Sequence, residues 1–503
     1  MNTKQSAERV ALNKSFSPFQ VWALALGCIL GWGCFVLPGI RFLPEAGPVA
    51  ACIGFFIGAV MLTTVAMSYG TMVANYPVAG GAFAYAFVGF GPTCAFICGW
   101  ALVLGYLCII ALNATAIALL TRFLLPGVLE WGFMYSIAGW DIYAGELSML
   151  CGVIILFGYI NFKGVGFAGS LQVILAVALM LGVLAICFGS FTYPEAHLAN
   201  LKPYFAKGKN AVACIASVVA IAPWLYVGFD TIPQTAEEFN FPHSQSTKLM
   251  LGAILCGAAI YALVTLAVAA VMPYEDLLAS KPVWATGTIA EIALGRAGGI
   301  ILAVAVLAAI LTGINGFFIA SSRLIFGMSR AGFLPAWFSR VHPKYHSPQN
   351  ALLFGTGLCV LAPWFGRETL GWVVDMSAVG TVIAYGFTCL ATYKYLTLHP
   401  EITSSAASRI IALLGVLAAA LCFCLLTIPG SPAAMGWQSW VALIAWVAMG
   451  VVFYHVKAKE VLTWSVEEQT FRILGNTDTH VFFVKPAAGA APAPENTLDT
   501  VGR

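Results

Sequence analysis

The chain of 503 residues is 60% hydrophobic and only 9% charged, with a formal net charge of +3. Soluble domains carry about 25% charged and about 45–50% apolar residues, so this composition excludes a soluble enzyme, a nucleic-acid-binding domain and a disordered scaffold. The apolar runs are continuous rather than alternating, which also excludes a β-barrel, and the sequence predicts an all-α polytopic membrane protein.

Twelve apolar segments, each about as long as a helix that crosses a bilayer, follow one another along the chain. Charged residues, prolines and glycines bound them. The predicted spans 1 to 12 cover residues 19–40, 46–74, 93–121, 146–162, 168–190, 212–233, 248–272, 297–322, 350–365, 372–396, 409–428 and 438–456. Span 1 is longer than the roughly 7–15 apolar residues of a secretory signal, so we interpret it as a membrane helix.

An even number of spans places both termini on the same side of the membrane. With the termini inside, the inner segments hold sixteen Lys and Arg residues and the outer segments eight. This excess favours a multi-pass protein of the cytoplasmic (inner) membrane with both termini in the cytoplasm. The chain then divides into a cytoplasmic segment 1–18, a twelve-helix domain 19–456 and a cytoplasmic tail 457–503, whose low-complexity end is expected to be disordered.

Cysteines and histidines do not form a recognisable metal or redox site in the sequence. The fourteen cysteines lie in or beside apolar runs without any CxxC pair, which is typical of buried cysteines that serve as small hydrophobic residues. The seven histidines fall in loops, at span ends or in the tail. We therefore expect neither a metal site nor a cofactor.

Spans 1 and 6 each contain residues that interrupt a helix near the middle of the membrane. Span 1 carries Gly31 and Gly33, and span 6 carries Pro223, Gly228 and Pro233. Non-helical backbone at membrane depth survives only where it is buried in protein or lines a cavity. A pair of interrupted segments in corresponding positions of two halves indicates a transporter binding site, although glycines in membrane helices also serve close packing.

The ends of the broken helices favour one class of ligand. The second half of span 1 begins near Gly33, where free N–H groups and the positive end of the helix dipole would bind a carboxylate. The first halves of both spans end near Leu30 and Val227, where free carbonyl groups would accept hydrogen bonds from an ammonium group. An acid site close to an amine site predicts an amino acid or a related amine as the substrate.

At these residues the chain resembles the amino acid–polyamine–organocation (APC) superfamily of permeases. Members carry G-S-G-[IV]-F followed by P-G in span 1, and an aromatic residue followed by G-F-D and E-E in span 6. Four segments match in the order of the family, within about residues 20–350: Gly31-Trp32-Gly33-Cys34-Phe35 with Pro38-Gly39, Tyr76 to Tyr85 with Gly99-Trp100, Trp224 to Asp230 with Glu237-Glu238, and Ser322-Arg323 to Pro335.

The resemblance implies a five-plus-five inverted repeat with discontinuous helices 1 and 6, and with helices 11 and 12 outside the repeat. Repeat one would cover residues 19–190, repeat two 212–396 and the last two helices 409–456. It also implies that backbone groups at the two breaks bind the carboxylate and the amine of the substrate, and that Trp224 covers it. The candidate binding residues are Ile29, Gly31, Trp32, Gly33, Cys34, Trp224, Tyr226, Gly228 and Phe229.

The chain departs from the family pattern at two places. The small residue between the glycines of span 1 is Trp32 here, which leaves a small or unusual amine as an alternative to a standard α-amino acid. Many sodium-independent relatives carry a lysine seven residues after a glutamine in span 5. Here Gln172 is followed at that distance by Leu179, so proton coupling through that lysine is not supported.

Asp230 is the one carboxylate that the sequence places near the middle of the membrane. An ionisable residue at this depth is costly and usually functional, which makes Asp230 the candidate for coupling transport to a proton or to the substrate. The alternative is an N-cap for the second half of span 6, and the two roles are compatible. Asn113, Thr312 and Asn315 either line the site or hydrogen-bond between helices.

The predicted function is secondary active transport, as a symporter or an exchanger, of an amino acid or related amine by alternating access. An amine-sensing receptor or a channel on the same fold is the alternative. No HExxH motif, intramembrane Ser/His pair or second buried aspartate is present in the sequence, so neither an enzyme nor a catalytic residue is expected. The expected partners are the small-molecule substrate, a proton, a sodium ion or a counter-substrate, and membrane lipid, without nucleic acid.

Overall fold

Ten helices in the described part of the chain are long and apolar enough to cross a membrane. The computed structural model describes residues 12–137, 139–280, 282, 284–366, 370–399, 406–431, 434–476 and 481. The ten helices are Pro18–Glu45 (span 1), Pro48–Asn75 (span 2), Pro92–Leu124 (span 3), Ala144–Phe162 (span 4), Val165–Thr192 (span 5), Ser246–Ala270 (span 7), Ala285–Arg330 (span 8), Leu370–Leu398 (span 10), Ala406–Thr427 (span 11) and Trp437–Phe453 (span 12).

The two other predicted spans consist of shorter helices. Span 6 is divided into Ala211–Val219, Ala222–Tyr226 and Thr231–Gln234. Span 9 is the helix Gln349–Leu361, which continues as the 3-10 turn Ala362–Phe365. The all-α polytopic class is confirmed, whereas the count of twelve crossings and the inverted repeat stay predictions.

Span 1 is discontinuous where the sequence predicted it to be. Its first helix, Pro18–Leu30, begins with a capping box between Ser17 and Gln20. Gly31 then takes φ 37° and ψ −172°, a positive φ that glycine adopts without a steric penalty. The chain resumes as the helix Gly33–Leu37, which leads through the π-turn Pro38–Phe42 to the short helix Leu43–Glu45.

Span 8 is longer than the predicted residues 297–322. The helix runs from Ala285 to Arg330 and contains one kink, at Gly295. The predicted boundaries followed the charges at Arg296 and Arg323, because charged residues usually mark the end of an apolar span. Arg323 does not end the helix, because its charge is buried in a pair with Glu238. The helix therefore continues past it to Arg330.

Two elements between the spans were not predicted. The helix Ala82–Phe90 lies between spans 2 and 3 along the chain. It is buried and packs against spans 3 and 10. The strands Phe133–Ile137 and Trp140–Tyr143 form an antiparallel hairpin in the segment between spans 3 and 4. Arg122 stabilises this hairpin, since it donates to the Asp141 carbonyl (2.7 Å) and pairs with Glu146 (2.6 Å).

The segment that follows span 12 contains a short amphipathic helix. Val466–Leu474 is capped by Ser465 and ends at Gly475 in the left-handed conformation. Trp464, just before this helix, lies against Gly332 at the end of span 8. The predicted low-complexity end of the tail lies outside the described residues.

The core of the bundle is formed by spans 1, 2, 3, 6, 7, 8 and 10. Span 3 is the most deeply buried of the long helices, whereas spans 11 and 12 bury few of their side chains within the protein. In a bilayer their exposed apolar side chains face lipid. Both discontinuous helices therefore lie in the core.

Candidate functional site

The breaks of spans 1 and 6 are in direct contact. Gly228 has φ 133°, and a Cβ atom built on it would lie 2.6 Å from the Cβ of Cys28 and 2.8 Å from the backbone nitrogen of Ile29. Only a glycine permits so close an approach with that backbone conformation. The turn of span 6 thus packs on the last turn of the first half of span 1.

The carbonyl end of this first half is partly hydrogen-bonded within the protein. The hydroxyl of Tyr261 donates to the Ile29 carbonyl (3.0 Å), and the hydroxyl of Thr312 donates to the Gly27 carbonyl (3.0 Å). Tyr226 ends the helix Ala222–Tyr226, and its own hydroxyl donates to the Phe55 carbonyl (2.7 Å). A ligand amine that binds the Ile29 carbonyl therefore shares it with Tyr261.

On the other side of the break in span 1, the helix Gly33–Leu37 begins. The amides of Phe35 and Val36 both donate to the Trp32 carbonyl, so the first turn of this helix begins at the break. A Cβ atom on Gly31 would meet no other atom within 4 Å, whereas one on Gly33 would lie 3.0 Å from the ring of Trp224. Trp224 therefore covers Gly33, while the space beside Gly31 is open.

Two cavities adjoin the break. The larger one has a volume of about 390 Å³, and its lining includes Trp32, Trp224, Leu112, Ile221, Val374, Ala378, Leu426, Arg41 and Asp375. The rings of Trp32 and Trp224 meet edge to face with their centroids 6.0 Å apart. The lining is apolar near the two tryptophans, with one cationic and one anionic side chain elsewhere in the wall.

The smaller cavity, of about 40 Å³, lies between spans 1, 3 and 8. Its lining is entirely apolar and consists of Trp32, Val36, Ala116, Leu119, Leu120, Phe123, Trp284 and Val306.

Asp230 lines neither cavity. One carboxylate oxygen accepts a hydrogen bond from the Gly228 amide (2.8 Å), and the other accepts one from the Tyr106 hydroxyl (2.8 Å). Asp230 occupies the N-cap position of the helix Thr231–Gln234, but its side chain makes no capping hydrogen bond. Among the described residues no cationic side chain pairs with it, so the carboxylate is held by neutral donors.

Phe229 and Cys34 are also directed away from the cavities. The ring of Phe229 packs against Tyr69 and Tyr385, at centroid distances of 5.9 and 5.4 Å. Cys34 is fully buried and lines neither cavity. Of the predicted binding set, Trp32 and Trp224 line the larger cavity, and the glycines, Ile29 and Tyr226 lie at the break.

Of the predicted second-tier residues, Thr312 and Asn315 connect helices, whereas Asn113 bonds within its own helix. Asn113 donates to the Ile109 carbonyl in its own helix (2.9 Å). Asn315 accepts from Asn161 (2.9 Å) and donates to Gln172 (2.8 Å). Gln172 in turn donates to the Ala23 carbonyl in the first half of span 1 (3.4 Å). A chain of neutral amides thus connects spans 4, 8, 5 and 1.

The side of the bundle that carries residues 12–17 is closed by two ion pairs. Arg323 binds Glu238 (2.8 Å), with both side chains almost fully buried. Arg330 binds Glu237 through two hydrogen bonds (2.8 and 2.7 Å). Burial raises the pKa of the Glu238 carboxyl, and the guanidinium of Arg323 opposes this rise.

The N-terminal segment is fastened to the same side. The amides of Ser15 and Phe16 donate to the Glu238 carbonyl, and the Asn240 amide donates to the Phe16 carbonyl. Glu237 also accepts a hydrogen bond from the amide of Ala79 (3.0 Å). We call this face the terminal side, and the two ion pairs and residues 12–17 cover it.

Several residues that shape the site carried no signal in the sequence. Tyr106 and Tyr261 are ordinary apolar-span residues by pattern, and Trp284 lies between the predicted spans 7 and 8. The hydroxyl or indole partner of each lies far away in the chain. The chain positions of Arg41 and Asp375 placed them at span ends but not in a common cavity wall. Only the tertiary structure places them in the wall of one cavity.

The chain is similar to known transport proteins over most of its length. The family model described as amino acid permease matches residues 16–453. The chain is 28% identical over 464 residues to the methylthioribose transporter of Bacillus subtilis, covering 90% of this chain and 94% of that protein. It is 25% identical over 479 residues to the branched-chain amino acid permease BcaP of the same organism, with the same coverage. It is 27% identical over 415 residues to the vacuolar cationic amino acid transporter 4 of Arabidopsis thaliana, covering 76% of this chain and 64% of that protein.

Proposed function

This chain belongs to the amino acid permease family of the APC superfamily, and from that premise we propose that it is a secondary active transporter of an amino acid or a related amine. The observation that carries the proposal is the contact between the breaks of spans 1 and 6 beside a cavity lined by Trp32 and Trp224. At this point N–H groups of one half-helix and carbonyl groups of two others converge. Those are the groups that bind a carboxylate and an ammonium.

The closed terminal side supports transport by alternating access. The two ion pairs and the N-terminal segment seal that side, whereas the larger cavity extends to Arg41 and Asp375. The excess of Lys and Arg on the terminal side favours a cytoplasmic location for it. On this proposal the larger cavity faces away from the cytoplasm, and an inward-facing state requires both ion pairs to separate.

Uptake into liposomes tests the transport function. The purified protein is reconstituted and supplied with labelled amino acids and amines, with and without a proton or sodium gradient. Saturable uptake of at least one amine is the expected result. Non-saturating flux would favour a channel instead, binding without flux would favour a receptor, and a protein that neither binds nor moves any amine would contradict the proposal.

A neutral thiosugar is a second candidate substrate. The observation that favours it is the similarity to the methylthioribose transporter over 90% of the chain. Such a molecule has no ammonium group and would use the apolar wall at Trp32 and Trp224 rather than the carbonyl groups. Competition between labelled amine and methylthioribose in the same liposomes distinguishes the two classes.

Asp230→Asn is expected to abolish accumulation against a gradient while substrate exchange continues. An amide keeps the size of the carboxylate and can still accept from the Gly228 amide, but it cannot take up and release a proton. The accumulation ratio inside the liposomes should therefore fall to about one under an imposed proton gradient. A variant that accumulates substrate like the wild type would remove Asp230 from the coupling role and leave it a structural residue.

A further inference from the structure

Trp32 is the wall between the two cavities at the break. Among the residues that line these cavities, it is the one that lines both. Its side chain is 8% exposed. The larger cavity measures about 390 Å³ and the smaller one about 40 Å³, so the indole separates a large space from a small one lined by apolar residues.

This wall has little freedom to move. On one side the indole meets the ring of Trp224 edge to face, at a centroid distance of 6.0 Å. On the other side the smaller cavity measures about 40 Å³, against about 390 Å³ for the larger one, so it offers the indole far less room. Trp284 closes that side, held by a hydrogen bond to the Phe35 carbonyl (2.9 Å) and by the ring of Phe123 (5.0 Å).

A substrate bound at the break must place its side chain beside this wall. Trp32 itself lies between Gly31 and Gly33, whose backbone would bind the carboxylate under the proposed function. Trp224 covers Gly33 from the side of the larger cavity. The two rings therefore border the substrate, and the indole of Trp32 lies between it and the apolar space that Ala116 and Val306 line.

We infer that the indole of Trp32 sets the upper size limit of the substrate, so that the protein favours amino acids or amines with short side chains. The inference rests on the proposed function. The indole lies between the substrate and the apolar space at spans 3 and 8 that a longer side chain would need. Shortening residue 32 joins the two cavities and admits longer apolar side chains.

The test is a size series measured in liposomes. Initial uptake of glycine, alanine, valine, leucine and phenylalanine is compared for the wild type, Trp32→Phe and Trp32→Ala. The matched control is Trp22→Ala, which removes an indole from the first half of the same span, where Trp22 stacks on Phe19 away from both cavities. Melting temperatures in detergent show whether each variant is folded.

In the wild type, uptake is expected to fall along the series as the side chain grows. Trp32→Ala should raise the leucine-to-glycine uptake ratio by about tenfold or more. One extra or missing methylene group in an apolar pocket already changes the selectivity by about 10–200-fold. Trp32→Phe should give an intermediate ratio, and Trp22→Ala should keep the wild-type ratio.

Two results would overturn the inference while the transport function stands. In one, the wild type moves phenylalanine as well as glycine. In the other, folded Trp32→Ala or Trp32→Phe protein keeps the wild-type ratio. If Trp32→Ala does not fold, the wild-type series and Trp32→Phe still decide the question. Failure of every protein, the wild type included, to move any amine would instead contradict the proposed function, and the size limit with it.

Discussion

Gly228→Ala is expected to abolish transport and to lower the free energy of unfolding by about 2–5 kcal/mol. The new methyl group would lie 2.6 Å from the Cβ of Cys28 and 2.8 Å from the Ile29 nitrogen. The backbone of span 1 at Cys28 and Ile29 cannot move aside as the end of a flexible side chain would. In addition, φ 133° is strained for any residue other than glycine. Span 6 must therefore separate from span 1, and a displacement of about 1 Å in such a site can cost about a hundredfold in rate.

The matched control is Gly152→Ala in span 4. A Cβ atom on Gly152 would meet no atom within 4 Å, and alanine favours a helix by about 1 kcal/mol over glycine. This variant should retain uptake and melt at the wild-type temperature or slightly above. Equal uptake by Gly228→Ala and Gly152→Ala would show that the close contact of the two breaks is not required for function.

Removal of one partner of the buried pair Glu238–Arg323 is expected to have the second large effect. In Arg323→Met the Glu238 carboxylate is left without its guanidinium in a buried position, which costs about 3–5 kcal/mol of the free energy of unfolding. The same change removes one of the two ion pairs that close the terminal side. We expect a lower melting temperature together with a terminal side that opens more readily.

The pH dependence identifies the cause of this loss. Burial already raises the pKa of Glu238, and Arg323 opposes the rise, so removal of the arginine raises that pKa further above its unfolded value. The folded state then binds more protons than the unfolded state. Stability of Arg323→Met should therefore be highest at low pH and fall as the pH increases through the raised pKa.

Glu238→Gln/Arg323→Met should recover much of the stability lost by Arg323→Met alone, because neither buried charge remains. Its stability should also lack the added pH dependence. Lys207→Met is the control, since it breaks the exposed pair Lys207–Glu275 and should cost less than about 1 kcal/mol. A loss for Arg323→Met no greater than for Lys207→Met would contradict a structural role for the buried pair.

Some features of the site were predictable because they depend on local sequence. The break in span 1 follows from glycines on either side of Trp32, and the structure has the non-helical backbone there. The break in span 6 follows from Gly228 in the same way. Glycine and proline act on the backbone of their own residue and the nearest turn, so their effect can be recognised without knowledge of the fold.

Other features depended on residues distant in the chain. The extent of span 8 was underestimated because Arg323 carries a charge, and only its pairing with Glu238 makes that charge compatible with a buried helix. The sequence likewise left open whether Asp230 caps a helix, whereas its carboxylate bonds to Gly228 and Tyr106. Such partners depend on how spans 3, 6 and 8 pack.

The sequence by itself determined that the chain lies in a membrane, where its two discontinuous helices are broken and which family it resembles. Composition and helix-breaking residues act over short distances, so they can be interpreted without a fold. Only the tertiary structure decided where the side chains at those breaks lie: Trp32 between two cavities, Phe229 among tyrosines and Glu238 against Arg323. Side-chain direction and pairing depend on neighbours from other helices, and the packing of the bundle selects those neighbours.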